Sequence, residues 1–358
     1  MTSPISWPEA RRAWSTDAMV ATSISVERIE LPVPQRVPNA TFTEVSTIWV
    51  DLEGAHGSGR GRARGSSRDD EAKAAAIAEW CGDDSIRRAL DAADASDRPL
   101  TSWREAWRGF EARADSHLAL SALAAVDEAV WELARTTGRL VSDASSHPPT
   151  PVYWSGLWLH SSVAELIAEV QWAFGEGFAG VKQRLDGSDV GGSIDRLRAV
   201  LAAAPPGRQV GLEFGGSGSV DSVEAIIDGV DASRLLWIED PVATTDVAAA
   251  NELAERLPVP VATGEDCWGR DALTTRLSEI SPVMPIVDFG FLGGPTALWF
   301  LLDEHRLGDG DVGVHIDAQA GADVAAVVDS AQTIWLEDFP WWQDPLPSEL
   351  DIAHRAGG

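Results

Sequence analysis

The feature that most constrains this chain is a series of polar residues, each standing at or near the end of a short apolar run. Lys182, Gln183 and Arg184 fall in GVKQRL, Glu213 in VGLEF, Glu239 in LLWIED and Glu265 in VPVATGED. Asp288 follows in PIVDFG, His315 in VGVHID and Glu337 in TIWLE. Between these runs lie helical stretches such as SIDRLRAVLAAA, DVAAANELAERL and GPTALWFLLDEHR, so the order is strand, helix, strand. Strands that are apolar through their centres suit a sheet buried on both faces. The pattern predicts a parallel (β/α) barrel, an α/β fold in which the C-terminal strand ends share one mouth. Residues far apart in sequence are then expected to meet.

Upstream the rhythm changes. SISVERIEL and STIWVDL alternate as antiparallel strands, and EGAHGSGRGRARGSSR supplies a turn and a further strand. Helical patterns follow in DDEAKAAAIAEWCG, with Ser67 or Asp69 as N-cap, in TSWREAWRGFEARA, and in LALSALAAVDEAVWELARTTGR, which ends near Gly138. Leu120, Leu123, Val126, Val130 and Leu133 recur at helical spacing as a packing stripe. The expected division is a lead-in over 1–20, an α+β domain over 21–145, a barrel over 146–337 opened by the strand VYWSG, and a proline-rich strap over 338–358.

Charge narrows the partners. The 28 Lys+Arg against 56 Asp+Glu give a net charge of −28, which argues against nucleic acid or an anionic membrane surface. Such a field repels an anionic substrate unless a bound cation reverses it locally. Cys81 and Cys267 lie far apart without metal-type spacing, which fits a reducing compartment. No run approaches the ~20 apolar residues of a membrane span, and residues 1–20 lack an apolar signal core. A cytoplasmic protein is expected. Arg60, Arg62, Arg64 and Arg68 are expected to form a solvated strand face rather than a nucleic-acid patch. A third reading puts one or more of them over the barrel mouth, on a carboxylate.

The convergent residues suggest chemistry. The chain has two lysines, Lys73 and Lys182, and writes its other positive charges as arginine. A buried lysine can lower its pKa and exchange a proton where arginine cannot, so Lys182 is a catalytic candidate. Glu213, Glu239 and Glu265, spaced 26 and 26 residues apart, would repel one another unless a hard cation sat between them, which points to Mg²⁺. Asp240 and Asp266 are rival ligands at this stage. His315, with Asp288 27 residues earlier, would make a carboxylate-oriented imidazole suited to general acid or base work. Tyr153, the only tyrosine, is a candidate for binding substrate; the alternative is packing with a satisfied hydroxyl.

With these residues in view, the chain resembles the enolase superfamily, within its mandelate racemase-like subgroup. The likeness extends from the first two strands and the helix ALSALAAVDEAVWELARTTG to the barrel. It implies a modified TIM-like barrel of (β/α)7β type under an N-terminal α+β capping domain, and a homo-oligomer. It also implies that Glu213, Glu239 and Glu265 bind Mg²⁺, and that Lys182 and Arg184 occupy the places of a K-x-K pair. Asp288 and His315 would be the Asp/His dyad and Glu337 an electrophilic glutamate. The lysine or histidine base and the Mg²⁺-stabilised enediolate of this superfamily are a standard example of the chemistry.

Three departures from the subgroup's pattern follow. The first metal position reads Glu213-Phe214-Gly215 instead of D-x-N, Phe291 stands where a polar or basic residue is frequent, and Arg184 replaces the second lysine. A guanidinium is a poor proton acceptor and a good carboxylate clamp, so Arg184 is assigned to substrate binding. Racemisation needs an acid or base on each face of the substrate, whereas dehydration can use one. The expected activity is therefore Mg²⁺-dependent dehydration of a sugar acid, a small-molecule carboxylate, to a 2-keto-3-deoxy acid, with Lys182 assisting electrostatically or as a second acid/base. Glu337, if protonated, would donate to the substrate carboxylate. The runner-up is an epimerase or cycloisomerase, and a Schiff-base aldolase or an inactive carboxylate-binding barrel stand behind it.

Overall fold

The computed structural model describes residues 20–37, 40–65, 69–140 and 150–338. The expected lead-in before residue 20, Ser67, Arg68, the boundary loop over 141–149 and the strap beyond Asp338 lie outside the described residues.

Strands β1 (Val20–Val37), β2 (Ala40–Glu53) and β3 (Ser58–Gly65) form an antiparallel sheet in that order. Four helices follow: α1 (Asp70–Gly82), α2 (Asp84–Asp94), α3 (Pro99–Glu111) and α4 (His117–Thr136). The sequence reading did not anticipate α2. Its signal is the Asp83 carboxylate, which accepts from the backbone N–H groups of Ser85 and Ile86 and so caps a helix with Ile86, Ala89, Leu90 and Ala93 on its buried side. Asp69 does stand at the N-cap position of α1, but its carboxylate pairs with Lys73 at 3.0 Å rather than with the helix.

The barrel is closed. Its eight parallel strands are β4 (Val152–Leu157), β5 (Gly180–Arg184), β6 (Gln209–Glu213), β7 (Leu235–Glu239), β8 (Val261–Thr263), β9 (Val283–Val287), β10 (Val312–Val314) and β11 (Ile334–Asp338). They pair in chain order, and β11 returns to β4. Helices α5 (Val163–Gly175), α6 (Val190–Ala203), α7 (Val220–Asp228), α8 (Val247–Arg256) and α9 (Arg270–Glu279) connect successive strands. The link from β9 to β10 carries α10 (Phe289–Leu292) and α11 (Pro295–Asp303), and α12 (Ala318–Val327) precedes β11. No helix among the described residues is long and apolar enough to cross a membrane.

Two details seat the N-terminal layer on the barrel. Along SGRGRARG small residues alternate with arginines, so the period of two puts Gly59, Gly61 and Ala63 on one face and Arg60, Arg62 and Arg64 on the other. The small face meets α4: a Cβ at Gly59 would lie 1.9 Å from the Ala129 carbonyl oxygen, and one at Gly61 1.9 Å from that of Ala125. The outer edge of β3 is covered as well, because Glu132 and Glu128 of α4 accept from the backbone N–H groups of Arg60 and Arg62. Gly61→Ala is therefore expected to cost about 1–3 kcal/mol through overpacking. Gly109→Ala, where a Cβ meets nothing within 4 Å, should be neutral or stabilising. Urea denaturation midpoints of the two variants would separate the cases.

The second detail is a set of buried tryptophans. Trp103 donates to Asp127, Trp107 to the Gly293 carbonyl at 3.2 Å and Trp131 to the Thr296 hydroxyl at 2.9 Å. The Asp127 carboxylate also receives the Thr296 N–H at 2.7 Å and its hydroxyl at 2.6 Å. Helices α3 and α4 are thus tied to the Gly293–Thr296 segment that joins α10 to α11.

Candidate active site

Parallel register carries the charged series to one end of the barrel. On β5, Lys182 and Arg184 share a face and Gln183 points to the other, so the glutamine leaves the group; it is fully buried, and neither amide atom has a hydrogen-bond partner among the described residues. Arg184 pairs in register with Glu213, and Glu213 with Glu239. Glu265 follows β8 by two residues.

Glu213, Glu239 and Glu265 each offer one oxygen, and the three oxygens lie within 4.8 Å of one another. The rivals stand aside. Asp240, with φ 39°, accepts from the Thr263 hydroxyl at 2.6 Å, while Asp266 is exposed and lies 4.0 Å from Arg276. Burial, then the charges of Glu239 and Glu213, pushes the Glu265 carboxyl well above its ordinary range, and burial and Glu239 raise Glu213. Glu239 Oε1 is buried without a hydrogen-bond partner among the described residues. A hard divalent cation fits such a donor set, since it satisfies orphaned oxygens and removes their mutual repulsion. The first metal position lacks the Asn of D-x-N, and the Gly215 backbone N–H donates to Glu213 Oε1 at 2.7 Å.

Lys182 lies among carboxylates, 2.9 Å from Glu337, 3.0 Å from Glu239 and 3.6 Å from Glu213. Burial works against its charge, yet Glu239 and Glu337 outweigh burial and hold the ammonium well above its ordinary pKa. The expectation of a lowered lysine pKa is corrected: this geometry keeps Lys182 a cation. Glu337 is corrected in the same way. Burial would protonate it, but Lys182, then His315 and Arg184, hold it down at about 2, so it is an anion ion-paired with Lys182 and not a donor. Tyr153 is likewise not a mouth residue. Its ring is fully buried, edge-on to Trp237 at 5.0 Å and 5.8 Å from Lys182 Nζ, which makes it packing beneath the lysine.

His315 Nδ1 is 2.7 Å from Asp288 Oδ2, and Nε2 is 3.2 Å from Glu265 and 3.7 Å from Glu337. The imidazole therefore stands beside the carboxylate triad with an orienting acid behind it. His315 and Glu265 keep 17% and 25% of their side-chain surface open while Lys182, Glu239 and Glu337 keep none, so the reachable side of the cluster is theirs. Arg184 is held by Ser155, through its carbonyl and its hydroxyl at 3.1 Å each, and stacks on Trp158 at 4.1 Å.

Sequence reasoning underrated the arginines of β3. Arg60 is half exposed and pairs with Asp51, as a solvated face would. Arg62 and Arg64 instead reach the barrel: both contact Asp317, and Arg64 also contacts Asp288 and the His315 backbone. The third reading, of arginines over the mouth, describes these two, with the protein's own carboxylates as partners.

Residues 165–300 match the family model described as "Enolase C-terminal domain-like". The L-talarate/galactarate dehydratase of Salmonella typhimurium is 25% identical over 261 residues, a match that covers 66% of this chain and 60% of that enzyme. The chain resembles enolase-superfamily enzymes. A second relative, the 3,6-anhydro-α-L-galactonate cycloisomerase of Streptomyces coelicolor, is 23% identical over 279 residues, covering 76% of each chain. The crystal structure of the Salmonella dehydratase liganded with Mg and L-lyxarohydroxamate superposes with a TM-score of 0.76 at 20% identity, covering 99% of this chain and 91% of that one. The likeness shows that this chain shares the fold of that enzyme, barrel and N-terminal layer together.

Proposed function

We propose that this protein is a Mg²⁺-dependent hydro-lyase that dehydrates a hydroxy carboxylate, in practice a sugar acid, to a 2-keto-3-deoxy acid. The observation that carries the reading is the imidazole of His315, backed by Asp288 at 2.7 Å and facing the carboxylate triad, with no second histidine in the cluster among the described residues. Dehydratases among the relatives support it.

Glu213, Glu239 and Glu265 would hold the ion, which when bound supplies positive charge to a substrate carboxylate and so acidifies its α-carbon. His315 Nε2 accepts the α-proton while Asp288 holds the Nδ1 proton and steadies the imidazolium. The electron pair left on the α-carbon, delocalised as an enediolate, expels the β-hydroxyl; His315 returns its proton to that oxygen, and water leaves. The resulting enol tautomerises to the ketone. Lys182 adds a fixed positive charge beside the carboxylate, and Arg184, locked on Ser155 and Trp158, clamps the substrate. A Schiff base on Lys182 would need a neutral amine, which Glu239 and Glu337 disfavour.

The test is incubation of the protein and Mg²⁺ with a panel of mono- and di-acid sugars, scored for 2-keto-3-deoxy product. Product from one acid establishes the reading, and silence across the panel sinks it. The cycloisomerase relative favours a second reading, in which the same dyad moves a proton without net loss of water. Solvent deuterium in recovered substrate without a keto product is its signature. Metal binding has an independent check: at about 100 times its Kd, MgCl₂ should stabilise the protein by about 2.7 kcal/mol. EDTA should reverse the shift in melting temperature, and a melt indifferent to both reagents would remove the triad from consideration.

A further inference from the structure

Arg64 lies on β3, outside the barrel, yet its guanidinium grips the support of the dyad, with Nη1 3.3 Å from His315 Nδ1. Nη1 donates to Asp288 Oδ2, the oxygen that also faces His315 Nδ1. Nη2 donates to the His315 carbonyl oxygen at 3.0 Å and to Asp317 Oδ2 at 2.8 Å. Between those last two partners sits Ile316 with φ 64°, a left-handed conformation that a β-branched residue adopts only where its surroundings impose it. Asp317 occupies the N-cap position of α12 but caps no N–H there; Arg62 and Arg64 take its carboxylate instead. The turn that presents His315 is therefore held from the other domain. Arg64 is itself anchored, because Lys73 Nζ donates to its carbonyl oxygen at 2.6 Å.

We infer that Arg64 is a positioning residue for His315. By clamping Asp288 to the 315–317 turn it fixes the ring with its Nδ1 proton on Asp288 and its Nε2 lone pair toward Glu265. It also makes that geometry conditional on the seating of the N-terminal sheet. A planar fork with donors on both nitrogens is required, and an ammonium, being a compact point charge, cannot span the three acceptors. The inference rests on the reading of His315 as the acid–base group, and its test has one arm that does not.

In that arm the full chain, labelled with ¹⁵N-histidine, is examined by long-range ¹H–¹⁵N NMR at about pH 8, where an ordinary imidazole is neutral. His315→Asn identifies the signal. The wild type is expected to show one tautomer, protonated at Nδ1, and Arg64→Gln and Arg64→Lys an average of both. A circular dichroism melt and an MgCl₂ titration confirm that each variant is folded and holds the metal. Wild-type tautomer shifts in either folded variant would overturn the inference. In the kinetic arm, on whichever acid the wild type consumes, Arg64→Gln should lose about 10²-fold in kcat with KM little changed. Methylguanidinium should restore part of the activity of Arg64→Ala. A raised KM at unchanged kcat would make Arg64 a substrate ligand and overturn the positioning role. An inactive wild type would count against the proposed function alone, leaving the NMR arm to judge Arg64.

Discussion

His315→Asn is expected to lower kcat by about 10²–10⁴-fold, the contribution of a positioned acid–base group. No neighbour can take over. Lys182 is held protonated by Glu239 and Glu337, and Arg184 is a guanidinium locked on Ser155 and Trp158. Asp288 is buried behind the ring with Arg64 on the same oxygen that faces His315, so it cannot reach an α-carbon itself. Asparagine keeps much of the volume and a polar end, and the three glutamates are untouched, so MgCl₂ should still raise the melting temperature of the variant. Progress curves with a consumed acid, set beside that melt, provide the check. Activity above about a tenth of wild type would mean that the proton passes through another group.

The second large effect is structural. Asp127→Ala should destabilise the protein by about 3–5 kcal/mol, because it removes the acceptor of three buried donors at once. Trp103 Nε1, the Thr296 N–H and the Thr296 hydroxyl all turn to this carboxylate. Space is equally tight: a Cβ at Gly294 would lie 2.3 Å from Asp127 Oδ2. Burial, against the pull of those donors, pushes the Asp127 pKa up to about 7. A native pKa above the unfolded value of about 3.9 means that the folded state binds the extra proton between the two. Stability attributable to Asp127 is therefore greatest in acid and is lost as pH rises through that window. Asp127→Asn, which does not titrate, is the reference: urea unfolding should show the wild type losing ground to it between about pH 4 and 7 and holding a constant gap above. A gap that does not change with pH would show that the carboxylate stays ionised on its donors throughout.

The barrel was legible because its strands punctuate the chain at regular intervals and each ends on a polar residue whose type announces chemistry. Glu213, Glu239 and Glu265 could be picked out by spacing alone, although the choice against Asp240 and Asp266 needed the Thr263 hydroxyl and the Arg276 contact. Protonation was not legible. Lys182 and Glu337 each have a buried position that favours neutrality, and only their 2.9 Å separation shows that both stay charged. Nor does a strand pattern say where the arginines of β3 point. The alternation of glycine with arginine signals two faces, but the barrel under one of them enters only with the docking of α4. Tyr153 carried no signal for its burial, since its register beside Glu337 follows from the stagger of the closed barrel.

The scarcity of lysine has a practical consequence at the bench. Lys182 is fully buried and the Lys73 side chain, 10% exposed, is engaged by Asp69 and the Arg64 carbonyl. Succinimidyl esters and glutaraldehyde, which need an accessible ε-amine, will find almost nothing to couple on the folded surface. An amine-directed cross-linking assay of the expected homo-oligomer would thus rely mainly on the α-amino group and under-count associated copies. With 56 aspartates and glutamates, the molecule offers carboxyl groups instead, and carbodiimide coupling to a dihydrazide is the reagent choice that lets subunits be counted.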